Sequence, residues 1–236
     1  MLEYLRNKKI LVVSAHPDDE VLGMGATMHK LIHEYGCIAN CVILGEGITS
    51  RADQRNPDAW KTELEKHKSN IEKARQIIGY QSTQVYDFPD NRFDSVNLLD
   101  LVKVLEKEKK EFLPEVIFTH HGGDLNVDHQ KTFDAVLTAS RPMESETVKT
   151  IVSFETPSST EWSSSTTPKP FVPNLFMEIS RHNLDAKISA MESYEIERRA
   201  YPHPRSPEAL RILAQRWGIV IGRSYAEACM LIRHIS

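Results

Sequence analysis

The segment "SAHPDDE", residues 14–20, places His16, Asp18, Asp19 and Glu20 within five residues, directly after the apolar run "ILVV". Three carboxylates and an imidazole crowded at a strand end repel one another unless a positive charge sits among them. His16 and Asp19 lie three residues apart across a turn that opens a helix, so both can converge on one ion. One imidazole and one carboxylate suit zinc or another borderline divalent metal. "NVDH" supplies His129 at another strand end, again where a helix begins. Three protein ligands that leave a fourth position for water describe a catalytic zinc site rather than a structural one. Asp18, beside Asp19 but pointing differently, can take a proton from metal-bound water. The alternative is that Asp18 caps the helix beginning near Glu20.

These groups act together only if the fold gathers them. "KKILVVSA" reads as a buried strand, "EVLGMGATMHKLIHEYG" as a helix stopped by Gly36, and "CIANCVIL" as a second strand. "DAWKTELEKHKSNIEKARQIIG" carries apolar residues at steps of three and four and ends at Gly79. "TQVYDF" is a short strand. "DSVNLLDLVKVLEKEKKE" is a helix capped by Asp94 or Ser95, with Leu98, Leu99, Val102 and Leu105 inward. "EVIFTH" is a strand and "DHQKTFDAVLTAS" a helix. This alternation calls for an α/β fold, a Rossmann-like three-layer sandwich with a mostly parallel sheet and helices on both faces. Sites in such sheets form at the carboxyl ends of the strands. "SAHPDDE", "GEGITSR", "FPDNRFD" and "THHGGDLNVDH" each follow a strand, so all four should share one edge.

The last third is less regular. "TPSSTEWSSSTTPKP" is either a loose surface connection or a lid over that edge. "TIVSFE" and "NLFMEI" read as strands, and "HNLDAKISAMESYEIE" and "SPEALRILAQRWG" as helices. Residues 1–236 are taken as one domain, with the chemistry-bearing motifs in 8–140 and a lid loop and C-terminal elements in 141–236.

At 40% hydrophobic and 26% charged, the chain should bury an ordinary core. A formal net charge of -4 lacks the basic footprint of a nucleic-acid binder. No apolar stretch approaches the ~20 residues of a membrane span. The N-terminal apolar run is too short for a signal peptide, so the expected location is cytoplasmic. Cys37, Cys41 and Cys229 suit small buried residues rather than a disulfide framework. Gly23 and Gly25 lack the third glycine of a dinucleotide fingerprint.

"AHPDDE" followed about 110 residues later by "GDLNVDH" resembles the LmbE-like, or PIG-L, family of zinc-dependent de-N-acetylases. The resemblance runs from about residue 8 to 140. "FETPSSTEW", "YPHPRS" and "GRSYAEACMLIR" also resemble one branch of that family. It implies His16, Asp19 and His129 as ligands of zinc, with iron the other candidate, and Asp18 as general base. It implies hydrolysis of an acetamide on an amino sugar, giving acetate and a free amine, and assembly into trimers or hexamers. Many members carry His-x-Asp-His where this chain has Asn126-Val127-Asp128-His129. Asparagine donates a hydrogen bond but shuttles no proton, so Asn126 is assigned to substrate binding. Asp128 is kept as a catalytic residue. The missing acid is sought in His203, with His121 or His120 behind it; otherwise Asp18 returns its own proton to the amine.

Arg51 and Arg92 stand at strand ends, where guanidinium groups suit phosphate or sugar hydroxyls, and Arg205 joins them as a substrate-binding residue. Each alone is more often a surface ion-pair residue. Trp162 either stacks on a sugar ring or pins its loop. His67 is read as structural. Two readings compete with a deacetylase of a free, nucleotide-linked or glycoconjugate sugar. One is a divalent-metal phosphohydrolase, although a hard magnesium site prefers more oxygen ligands. The other is a non-catalytic sugar- or nucleotide-binding protein with a decayed site.

Overall fold

Strand β1 (Lys9–Ser14) is buried along all but its first residue. Ile10 and Val12 face one apolar core and Leu11 and Val13 the other, so both faces are covered and the run is apolar without alternation. The computed structural model describes residues 1–164 and 166–236; Ser165, inside the expected lid stretch, lies outside the described residues. After a short α1 (Leu2–Leu5) and β1 come α2 (Asp19–Tyr35), β2 (Ile38–Gly45), α3 (Lys61–Ile78), β3 (Ser82–Phe88) and α4 (Leu98–Phe112). Then follow β4 (Val116–His120), α5 (Val127–Ala139), β5 (Thr150–Phe154), β6 (Leu175–Glu178), α6 (Arg181–Ser193), α7 (Pro207–Val220) and β7 (Ala226–His234).

The seven strands form one sheet in the order β3-β2-β1-β4-β5-β7-β6. β1 to β5 pair in parallel, and β7 runs antiparallel between β5 and β6. Helices α2, α3 and α6 pack on one face, and α4 and α5 on the other. The order reverses between β1 and β4, which opens a crevice at their carboxyl ends.

Strand β7 has no counterpart in the sequence expectation, because "AEACMLIRH" carries a glutamate where a strand faces the core. Glu227 is buried there for a reason. Helix α2 breaks at Met24 (φ -133°, ψ 25°). Glu227 accepts the N–H groups of Ala26 (3.3 Å) and Thr27 (2.7 Å) beyond the break. The Lys187 ammonium donates to the Leu22 carbonyl (2.8 Å) and to Glu227 (2.6 Å), so one ion pair satisfies the backbone groups on both sides. Gly23, at the same break, is required: a Cβ there would lie 2.3 Å from the Phe154 ring.

Three other expectations are corrected. Helix α4 starts after Asn97 rather than Asp94 or Ser95, because the Phe93 N–H is drawn to Asp128 (2.8 Å) and residues 93–95 form a 3-10 turn. Leu98 and Leu99 are exposed, Leu99 at 60%, and Leu101 takes the core position instead. Helix α6 stops at Ser193 instead of continuing to Glu197. Tyr194 there turns inward and its hydroxyl donates to Glu20. The three cysteines are free and buried. No helix among the described residues is long and apolar enough to cross a membrane.

Candidate active site

The turn between β1 and α2 is drawn tight by its own groups. Asp19 Oδ2 accepts the His16 N–H (2.9 Å), and the Asp18 carbonyl accepts the N–H groups of Val21 and Leu22. Asp18 itself is left-handed, at φ 97°. Its carboxylate does not cap α2. It receives Arg205 Nη1 at 2.8 Å instead. The turn thus points Asp18 into a cleft of about 160 Å³, which His16, Asp19 and His129 also line.

His16 Nδ1 lies 3.3 Å from Asp19 Oδ2, and His129 Nε2 lies 3.2 Å from the same oxygen. All three donor atoms fall within 4.8 Å of one another. Tetrahedral zinc with bonds near 2.1 Å separates its ligand atoms by about 3.3 Å, so the donor set fits a divalent ion of that class. The far side of each ring is also occupied. His16 Nε2 donates to Asp128 (2.8 Å), which leaves Nδ1 free as a ligand. His129 Nδ1 lies 3.1 Å from Asp124. Asp128 fixes the ring and tautomer of His16, and the Asp124 carboxylate stands behind His129, an arrangement that suits metal-ligating histidines.

Charge follows from this packing. Burial works against a charged His129, but Asp19 and Asp124 outweigh it and push the imidazole up to about 9. Burial would raise Asp124, yet His129, Ser159 and Thr160 bring it down to about 2. Burial drives Asp18 well above the ordinary carboxylate range; Arg205 opposes this and Asp19 adds to it. His120 is stacked on His129 at 3.8 Å, and burial beside that ring lowers it to about 4. Its Nε2 accepts the Ala15 N–H (2.9 Å) and its Nδ1 meets Thr156 (3.0 Å), so it is a neutral strut.

The other expected residues divide into two groups. Arg51, Arg205 and Asn126 line the cleft. Asn126 also caps α5, accepting the Asp128 N–H (2.8 Å), and donates to Asn91 (2.9 Å). Asp128 is fully buried behind His16 and does not line the cleft, which makes it a positioning residue. Arg92 points to the Asp53 carbonyl, and His203 accepts the Arg205 N–H (3.2 Å) with its ring against Trp162; neither lines the cleft. His121 Nε2 donates to the Lys169 carbonyl (2.9 Å). The start of the Ser/Thr-rich stretch is anchored, since Ser159 and Thr160 both donate to Asp124.

Sequence reasoning passed over Asp90, His67 and Glu197, all of which line the cleft. Asp90 stood in the polar cluster "FPDNRFD", where the arginine drew the assignment. His67 sat at an apolar step of α3, yet neither ring nitrogen has a hydrogen-bond partner among the described residues. Glu197 carried no signal, because a helix was expected to run through it.

The geometry can be set beside known proteins. Residues 11–140 match the PIG-L family, described as GlcNAc-PI de-N-acetylase. An Escherichia coli K12 protein named uncharacterized deacetylase YaiS is 27% identical over 195 residues, covering 80% of this chain and 92% of that one. The N,N'-diacetylchitobiose deacetylase of Pyrococcus horikoshii superposes with a TM-score of 0.70 at 19% identity, covering 96% and 84% of the two chains. The 4-carboxy-2-hydroxymuconate hydratase GalB of Pseudomonas putida KT2440 superposes with a TM-score of 0.72 at 20% identity, covering 97% and 98%. A deacetylase and a hydratase on one fold mean that the fold alone does not name the reaction. The family match spans more than half of the chain and includes His16, Asp18, Asp19 and His129, and the chain belongs to the PIG-L family.

Proposed function

We propose that this protein is a divalent-metal-dependent N-deacetylase, which hydrolyses the acetamide of an N-acetylated amino sugar to acetate and a free amine. The observation that carries the reading is the convergence of His16, Asp19 and His129 at zinc-like spacing, with Asp18 in the same cleft. The likeness to deacetylases supports it.

Those three residues would hold zinc or ferrous iron, which when bound would supply a Lewis acid for the acetyl carbonyl and for water. The chain's own groups do the rest. Asp18 accepts the proton of the attacking water, with Arg205 orienting its carboxylate. Asp128 and Asp124 hold the two ligand rings. Asn126 carries no transferable proton and His203 stands outside the cleft lining, so protonated Asp18 is the group placed to return its proton to the leaving amine. Two imidazoles among three ligands favour this chemistry over an oxygen-rich phosphohydrolase site.

The test is acetate release from a panel of N-acetylated sugars by metal-loaded protein, run beside Asp18→Asn. Release that is lost in the variant supports the reading. A protein that binds one metal per chain and releases no acetate from any sugar overturns it.

A further inference from the structure

Glu197 enters the cleft from the irregular segment that follows the early end of α6. Its two oxygens serve two different arginines. Arg51 Nη2 donates to Oε1, and Arg205 Nη1 donates to Oε2 at 2.8 Å. Arg205 Nη1 also holds Asp18, and its Nε donates to Ser158 (2.8 Å). Among the described residues, Arg51 and Arg205 are the only lysine or arginine side chains that line this cleft, and both hold carboxylates. Four carboxylates, Asp18, Asp19, Asp90 and Glu197, line the cleft with these two guanidinium groups. The charge of a divalent ion at the three ligands balances the remainder. The cleft therefore has no spare positive charge for an anionic substrate group. The lining groups that remain are uncharged hydrogen-bonding side chains such as Ser50, Asn91, Asn126 and the unpartnered His67. These match sugar hydroxyls and an acetamide.

We infer that Glu197 is a specificity-determining residue: by bridging Arg51 and Arg205 it reserves the cleft for uncharged acetamido sugars and turns away phosphorylated or carboxylated ones. This rests on the deacetylase reading for its substrate and extends it to charge. An anion that reached the two arginines would have to displace an internal carboxylate already held there at no association cost, and it would meet Asp18 and Asp90 beside it. Removing the Glu197 charge frees the Arg51 guanidinium and one of the three contacts of Arg205, so that the pair can receive an anion in its place.

The experiment compares wild type, Glu197→Gln and Glu197→Asp, all metal-loaded. Inorganic phosphate is titrated against each by thermal shift, and kcat/KM is measured for N-acetylglucosamine and its 6-phosphate. Wild type should favour the uncharged sugar by about tenfold or more. Glu197→Gln should bind phosphate about tenfold more tightly than wild type and reverse or erase the sugar preference, while Glu197→Asp keeps the wild-type order. The double variant Glu197→Gln/Arg51→Gln should lose the gained phosphate affinity. A wild type that prefers the phosphorylated sugar overturns the inference even if no variant folds. Equal phosphate affinity in wild type and Glu197→Gln also overturns it. If no sugar releases acetate, the deacetylase reading fails, and the phosphate titration still decides the role of Glu197.

Discussion

Helix α2 buries charge in two places and in opposite ways. At its first turn, Asp18, Asp19 and Glu20 are all buried; burial, with neighbouring carboxylates adding to it, raises Asp18 and Glu20, while His129 and His120 hold Asp19 down. Two turns on, Glu227 and Lys187 are as deeply buried, but every charge there meets its counter-charge or a backbone group. The second region is closed: nothing from outside could improve it. The first brings two imidazole nitrogens and a shared carboxylate oxygen within 4.8 Å of one another at a cleft. A closed ionic network holds a helix in shape, whereas an incomplete one at a cleft is a place for a ligand.

Four variants sharpen or break this contrast. The largest effect belongs to the open region. Asp18→Asn keeps a residue that tolerates the left-handed backbone, so the fold should persist while acetate release falls by about a thousandfold. Near-wild-type turnover would show that the first turn is merely crowded. The closed region should respond in stability. Lys187→Met leaves Glu227 buried without its partner, and urea unfolding should report a loss of about 3–5 kcal/mol. Activity per folded molecule should change little.

Asp128→Asn tests the support behind His16. Competition with a chelator should show metal affinity lower by about ten- to a hundredfold, with the fold retained. An unchanged affinity would make the Asp128 contact incidental.

The smallest effect concerns Glu155, which follows β5 and accepts a hydrogen bond from the Trp217 indole. Burial raises its carboxyl to about 7, with the Trp217 bond opposing. The folded state then holds this proton over a range where the unfolded chain has released it. Stability from Glu155 is fully present below about pH 4.5 and is lost as pH rises towards 7. Because the group is only partly enclosed, the slope should amount to about 1–2 kcal/mol across that window. Glu155→Gln should flatten the urea midpoint against pH by that amount, and an identical pH profile in both proteins would refute the assignment.

The metal-type cluster was legible because its information is local. Strand ends can be read from apolar runs, the parallel sheet puts those ends on one edge, and His16, Asp19 and His129 stand there. The parallel core was legible for the same reason. What escaped was set by long-range partners. Glu227 makes a strand look like a loop until Lys187 and the break in α2 are known. Glu197 and Tyr194 end a helix that local propensity would continue, because arginines and Glu20 claim them. The role of Asp128 depended on which ring it would meet. Its sequence neighbour Asn126 suggested an empty place, but the ring it meets is that of His16, reached through the pairing of β1 with β4.

That pairing also governs timing. β4 docks directly on β1 although β2 and β3 are made in between. A nascent chain that has reached only β3 carries His16 and Asp19 but not His129, nor the Asp128 that turns the first ring. Such an intermediate has two of the three proposed ligands, in a turn braced only by its own hydrogen bonds. On the proposed metal reading, the complete ligand set therefore exists only after β4 has paired with β1 and α5 has followed it.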